Sequence, residues 1–113
     1  MTGNEIYKRV LGLLGYIEND IIIAGQETLF KRALDIINQI CVDLKIPQIK
    51  RLSEKVEASE EALDALCYGT AMIMCLVEGD GAKNQIFTAI YNAKRATALS
   101  KTEIIADKLP FVR

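Results

Sequence analysis

The sequence predicts an all-α protein: a four-helix bundle-like domain with an antiparallel C-terminal helical hairpin and an extended C-terminal tail. Three observations lead there. Four stretches repeat apolar residues at i, i+3 and i+4, the helical spacing. Gly79-Asp80-Gly81 joins two of those stretches by so short a turn that they must lie side by side and antiparallel. Capping and helix-stopping residues punctuate the stretches: Thr2, Gly15, Pro47, Ser59 and Asp80. At 113 residues the chain is the size of one domain. The expected division is a single helical domain over 1–100 and a tail over 101–113.

The first helix is expected from Gly3 to Leu14. Ile6, Val10, Leu13 and Leu14 share its apolar side, while Lys8 and Arg9 face the other way. Thr2 stands at the cap position and Gly15 at the C-terminal glycine position; Gly12 weakens the last turn. Glu18, Asn19 and Asp20 read as a turn. Ile21, Ile22 and Ile23 favour a strand locally, but a lone strand lacks a partner, so they are read as a hydrophobic lead-in to the second helix.

The second helix is expected from Gln26 to Leu44, with Phe30, Ala33, Leu34, Ile37, Cys41 and Leu44 inward. Lys31, Arg32, Asp35 and Asp43 mark its wetter side. Pro47 ends it. Residues 47–58 form the one long loop, an arm, a β-excursion or a partly helical connector, in which Ile49, Leu52 and Val56 punctuate a charged segment. Loops of that length are often functional.

The third helix is expected from Glu60 to Glu78, capped by Ser59, with Glu60 and Glu61 at the positive helix end. It is apolar almost all the way round. Such a helix must be covered on all sides, and a short chain offers little cover, which points to assembly with other copies or another protein. The fourth helix is expected from Ala82 to Leu99, with Ile86, Ile90, Ala93 and Thr97 as its stripe and Phe87, Tyr91 and Lys94 flanking. Beyond it, Leu109, Phe111 and Val112 are large apolar residues outside any expected helix. They either fold back on the core or dock on a partner.

Composition narrows the function. The net charge is -1, so wholesale nucleic-acid binding is not expected, and DNA contact needs a local patch. The candidates for a phosphate-facing patch are Lys83, Lys94, Arg95 and Lys101. The helix dipole already accounts for Lys94 and Arg95 near a C-terminal end. The chain has no histidine, which removes Ser-His and Cys-His pairs, the commonest general base and most catalytic zinc sites. No enzymatic activity, cofactor or metal is expected.

Glu54, Glu57, Glu60, Glu61 and Asp64 read as a solvated helix start, since the spacing of a calcium loop is missing. Cys41, Cys67 and Cys75 read as reduced and buried. Tyr68 and Tyr91 read as packing residues with a wet hydroxyl, and Met72 and Met74 as adaptable core. The longest apolar run, Thr70 to Val77, is far short of the ~20 residues that cross a membrane. The polar start gives no sign of a signal peptide.

Three segments carry a resemblance: Ile6-Tyr7-Lys8-Arg9-Val10-Leu11-Gly12-Leu13-Leu14-Gly15; Ala65-Leu66-Cys67-Tyr68-Gly69-Thr70-Ala71; and Glu78-Gly79-Asp80 followed by Tyr91-Asn92-Ala93-Lys94-Arg95. In this order they resemble the small all-α head-to-tail connector (adaptor) proteins of tailed phages and prophages. Cys67 stands where that family usually has proline before Tyr-Gly. The resemblance implies a virion structural protein, found in the virion or the cytoplasm of the bacterial host. It would form a homo-oligomeric ring, with portal and tail proteins as partners and non-specific contact with packaged DNA. It implies that Lys108, Leu109, Pro110, Phe111, Val112 and Arg113 reach the portal or a neighbouring copy, and that the 47–56 loop, with Ile49, Leu52 and Val56 as candidate contacts, meets tail components. The alternative from another class is a small helical regulatory or nucleic-acid-associated binding module. Its recognition helix would have to use Asn84, Gln85, Asn92, Lys94 and Arg95, which are spread over several faces.

Overall fold

A computed structural model describes residues 1–18, 21–22 and 27–107, with the backbone course alone for 18, 21, 22, 27, 28 and 101–107. In chain order the elements are α1 (Gly3–Leu14), β1 (Ile17–Glu18), β2 (Ile21–Ile22), α2 (Glu27–Asp43), α3 (Glu60–Val77) and α4 (Gly81–Asp107). The protein is an all-α bundle whose last two helices form an antiparallel hairpin.

Local chemistry sets the helix ends. At the start of α1, Thr2 Oγ1 accepts from the Glu5 N–H at 3.1 Å, and Glu5 Oε1 accepts from the Thr2 N–H at 2.8 Å. This reciprocal pair occupies two donors that the helix cannot use itself. Gly15, at φ 83°, ends α1, with the Tyr16 N–H returning to the Leu11 carbonyl at 2.8 Å. The same left-handed closure ends α2, where the Ile46 N–H reaches the Cys41 carbonyl at 3.0 Å. There the left-handed residue is Lys45, at φ 60°, a conformation that disfavours a side chain. Gly79, at φ 74°, closes α3, and Asp80 Oδ1 then accepts from the Lys83 N–H at 3.0 Å to start α4.

The Ile21–Ile22 segment corrects one expectation. It is a strand, paired antiparallel with Ile17–Glu18, Ile17 opposite Ile22. The missing partner is the segment just before it. Residues 19–20 and 23–26 lie outside the described residues.

α3 is the central element and packs against α1, α2 and α4. Its buried residues include Ala65, Leu66, Cys67, Thr70, Ala71, Met74 and Cys75, which point in every direction around the axis. The cover expected from a second molecule comes from this chain's own helices. Leu76, 59% exposed, is the large apolar residue of α3 left open. Gly69 makes the packing close: a Cβ there would lie 2.7 Å from Tyr91 Cε1 and 2.8 Å from Ile40 Cγ2.

α4 corrects two more expectations. Its core stripe is Phe87, Tyr91 and Ala98, all buried, whereas Ile86 is 59% exposed and Ala93 and Thr97 face solvent. Ile86 and Phe87 lie about 100° apart on the helix, so two stripes compete. The rings bury more area and win. α4 also runs to Asp107, past the expected end at Leu99. Residues 100–107 contain neither glycine nor proline, and the first proline beyond them is Pro110.

Candidate functional site

The polar chemistry of the described residues gathers around α4, held by two acids from other helices. Asp64, in the second turn of α3, accepts from Arg9 Nη2 of α1 at 2.9 Å through one oxygen and from Lys94 Nζ through the other. The Lys94 ammonium also lies 4.9 Å over the Tyr68 ring. Its hydrogen bond to Asp64 raises its pKa. Asp43, the last residue of α2, accepts from the Tyr91 hydroxyl and from Arg95 Nε, the latter at 2.8 Å. Burial, then the bond to Asp43, raises the Tyr91 pKa. At the other end of α4, Lys83 Nζ donates to the Leu14 carbonyl at 3.0 Å and stands 5.6 Å over the Tyr16 ring.

Lys83, Lys94 and Arg95 each hold an acceptor on another helix. Lys83 is also about 16 Å along the helix from Lys94. The ion pairs are about a third to a half exposed, so each contributes at most about 1 kcal/mol. The side chain of Lys101 lies outside the described residues.

The loop candidates turn inward. Ile49 and Val56 are 5% and 4% exposed, and Leu52 packs half-buried against the core. Asn38 fixes the loop twice, donating to the Ile49 carbonyl at 2.7 Å and accepting from its N–H at 2.8 Å. The Gly3 and Asn4 N–H groups, free at the start of α1, donate to Glu54 and Leu52 carbonyls at 3.1 and 2.8 Å. The apolar residues spaced along the loop are its anchors, and its charges face out. Lys108 to Arg113, the tail candidates, lie outside the described residues.

A shallow cleft of about 210 Å³ is lined by Glu61, Asp64, Ala93, Lys94 and Thr97, and another of about 530 Å³ by Met1, Glu5, Lys8, Arg9, Gly12 and Ile17. Neither is lined by a cysteine or serine beside a base. Among the described residues, no three His, Cys, Asp or Glu side chains converge to hold a metal. Cys41, Cys67 and Cys75 are free and buried. Burial pushes the Cys41 and Cys67 thiols up to about 11, far from the range of a reactive thiolate. No described helix is long and apolar enough to cross a membrane.

Comparison with protein families, curated proteins and solved structures finds no match. Sequence reading missed the two acids as clamps, because their partners stand 30 to 55 residues away.

Proposed function

We propose that this chain is a structural protein of a phage or prophage virion, a head-tail connector assembling as a ring between portal and tail. The resemblance to that family supplies the class, and the all-helical bundle is compatible with it. One observation carries the reading further. Thr97 lines a cleft with Glu61, in the first turn of α3, yet α4 continues ten residues to Asp107. α4 therefore carries the chain about 15 Å past the start of α3 before residue 108. A helix reaching past the start of α3 is suited to present the peptide Leu-Pro-Phe-Val-Arg to another subunit. Each copy offers a small apolar anchor, and repetition around a ring turns weak contacts into a firm joint.

The test is removal of Leu109 to Arg113. Far-UV circular dichroism and melting temperature stay as in the full chain, while high-order assembly and co-purification with a co-expressed portal protein are lost. Unchanged sedimentation and portal binding overturn the reading. Firm sequence-specific gel shifts with the isolated protein favour the regulatory alternative instead.

A further inference from the structure

The segment that joins α2 to α3 is a strap of unpaired cations. Residues 45–55 hold four, Lys45, Lys50, Arg51 and Lys55, against one acid, Glu54, in a chain whose net charge is -1. All four are exposed, because Ile49, Leu52 and Val56 between them turn inward. Among the described residues Lys45, Lys50 and Lys55 have no hydrogen-bond or ion-pair partner, and Arg51 meets Glu54 at 3.5 Å. Lys83, Lys94 and Arg95 each have an acceptor in this chain. Two further acids flank the strap. Glu5 lies near Lys55 but is bound into the cap of α1 by Thr2, and Glu57 is exposed just beyond Val56.

The strap is fixed in place. Asn38 holds Ile49 at both its N–H and its carbonyl, and the start of α1 holds the Leu52 and Glu54 carbonyls. Asn38 lies two turns before Lys45, which sets Lys45 about 10 Å along α2 from the Ile49 anchor. Cations on a fixed backbone meet a partner without the cost of ordering a loop. We propose that this strap binds the phosphate backbone of duplex DNA, without sequence preference.

The make-up of the strap selects that partner. Its large apolar side chains, Ile49, Leu52 and Val56, pack on the core, so it offers no hydrophobic centre. Protein interfaces are poor in lysine and build on such a centre, whereas interfaces with DNA are far more positive. Residues 44–58 contain no aromatic ring, so the bases of a single strand have nothing to stack on. Lysine is a point charge without the fixed fork that reads a base edge, and Arg51 shares its fork with Glu54. With about three phosphates neutralised, affinity falls about sixfold for each doubling of salt. The dissociation constant is about 0.1 mM, the weak end of non-specific binding. The assignment concerns the isolated chain and does not rest on the connector reading. Portal binding does not report on it.

Fluorescence anisotropy with two labelled duplexes of about 20 base pairs and different sequence tests it at low salt. Both duplexes bind alike. Lys50→Glu weakens binding about tenfold, and Lys50→Gln lowers the slope of log affinity against log salt by about 1. Arg32→Glu makes the same change of charge on α2, about 140° round the helix from Lys45, and leaves affinity within about twofold. Circular dichroism is the same for all, since Arg32 and Lys50 are exposed. Equal losses in Lys50→Glu and Arg32→Glu overturn the assignment, because net charge alone then governs binding. So does a single strand that binds more tightly than the duplex, or poly-glutamate that displaces the duplex charge for charge. Absence of binding at about 1 mM protein, well above the expected dissociation constant, overturns it outright.

Discussion

The same substitution, glycine to alanine, has opposite signs at two helical positions of this protein. At Gly12, near the end of α1, an added Cβ meets nothing within 4 Å. The gain is the ordinary helix preference for alanine, about 0.5–1 kcal/mol. At Gly69, in the middle of α3, the Cβ falls 2.7 Å from Tyr91 Cε1 and 2.8 Å from Ile40 Cγ2. Neither neighbour gives way easily. The Tyr91 ring is tethered by its hydroxyl to Asp43, and Ile40 is β-branched and 3% exposed. Overpacking of this kind costs about 1–3 kcal/mol. Contact with two elements at once puts it near the top of that range, leaving a net loss of about 2 kcal/mol after the alanine gain. For a chain of this size 1 kcal/mol moves the melting temperature by about 4 °C. Thermal denaturation followed at 222 nm therefore shows Gly12→Ala melting about 2–4 °C higher than wild type and Gly69→Ala about 8 °C lower. A Gly69→Ala variant as stable as wild type refutes the close approach of α2, α3 and α4.

Lys45→Gly removes a side chain from the left-handed region, relieving about 1–2 kcal/mol, against about 0.5–1 kcal/mol of lost chain entropy. Urea denaturation shows a stability gain of about 0.5–1 kcal/mol, and a loss contradicts the cap geometry. Asn38→Ala strips the Ile49 N–H and carbonyl of their partner at a cost of about 2–3 kcal/mol. Trypsin then cuts the loop after Lys50 or Arg51 faster than in the wild type, and equal rates count against the anchoring role. Cys41 and Cys67 ionise near their ordinary 9.0 when unfolded and near about 11 when folded. Between those values the unfolded chain has released protons that the folded one keeps. Stability is therefore full below pH 9, falls as pH rises to about 11, and levels off above. The loss is on the order of 3 kcal/mol per thiol. A melting temperature flat from pH 8 to 11 refutes it, and Cys41→Ala with Cys67→Ala should reduce the slope.

Interactions within a few residues were legible in the sequence. Thr2, Gly15, Ser59 and Asp80 mark helix ends because a cap concerns a residue and its neighbours three or four positions away. The antiparallel hairpin of α3 and α4 followed from a turn too short to allow anything else. The clamps were not legible. Nothing near Asp43 indicates that Tyr91 and Arg95, 48 and 52 residues on, share one of its oxygens. The rotation of α4 escaped for a related reason: the Ile86 and Phe87 stripes lie only about 100° apart, and the choice between them depends on the distant helices that cover the Phe87 and Tyr91 rings. Lys45 misled as well, since an αL closure is usually glycine and lysine carries no sign of one.

How α3 is covered and how α4 is held are linked in this fold. α3 can be apolar on every side because α1, α2 and α4 surround it, so its composition makes no demand on a second molecule. α4 then has one face for the core and needs bonds to hold that rotation. Asp43 and Asp64 supply them by binding Tyr91, Lys94 and Arg95 from α2 and α3. Removing the charges of the two acids tests this. Asp43→Asn with Asp64→Asn weakens three ion pairs worth at most about 1 kcal/mol each. At about 4 °C per kcal/mol the double variant melts several degrees below wild type. A melting temperature equal to that of wild type breaks the link between the two acids and the way α4 is held.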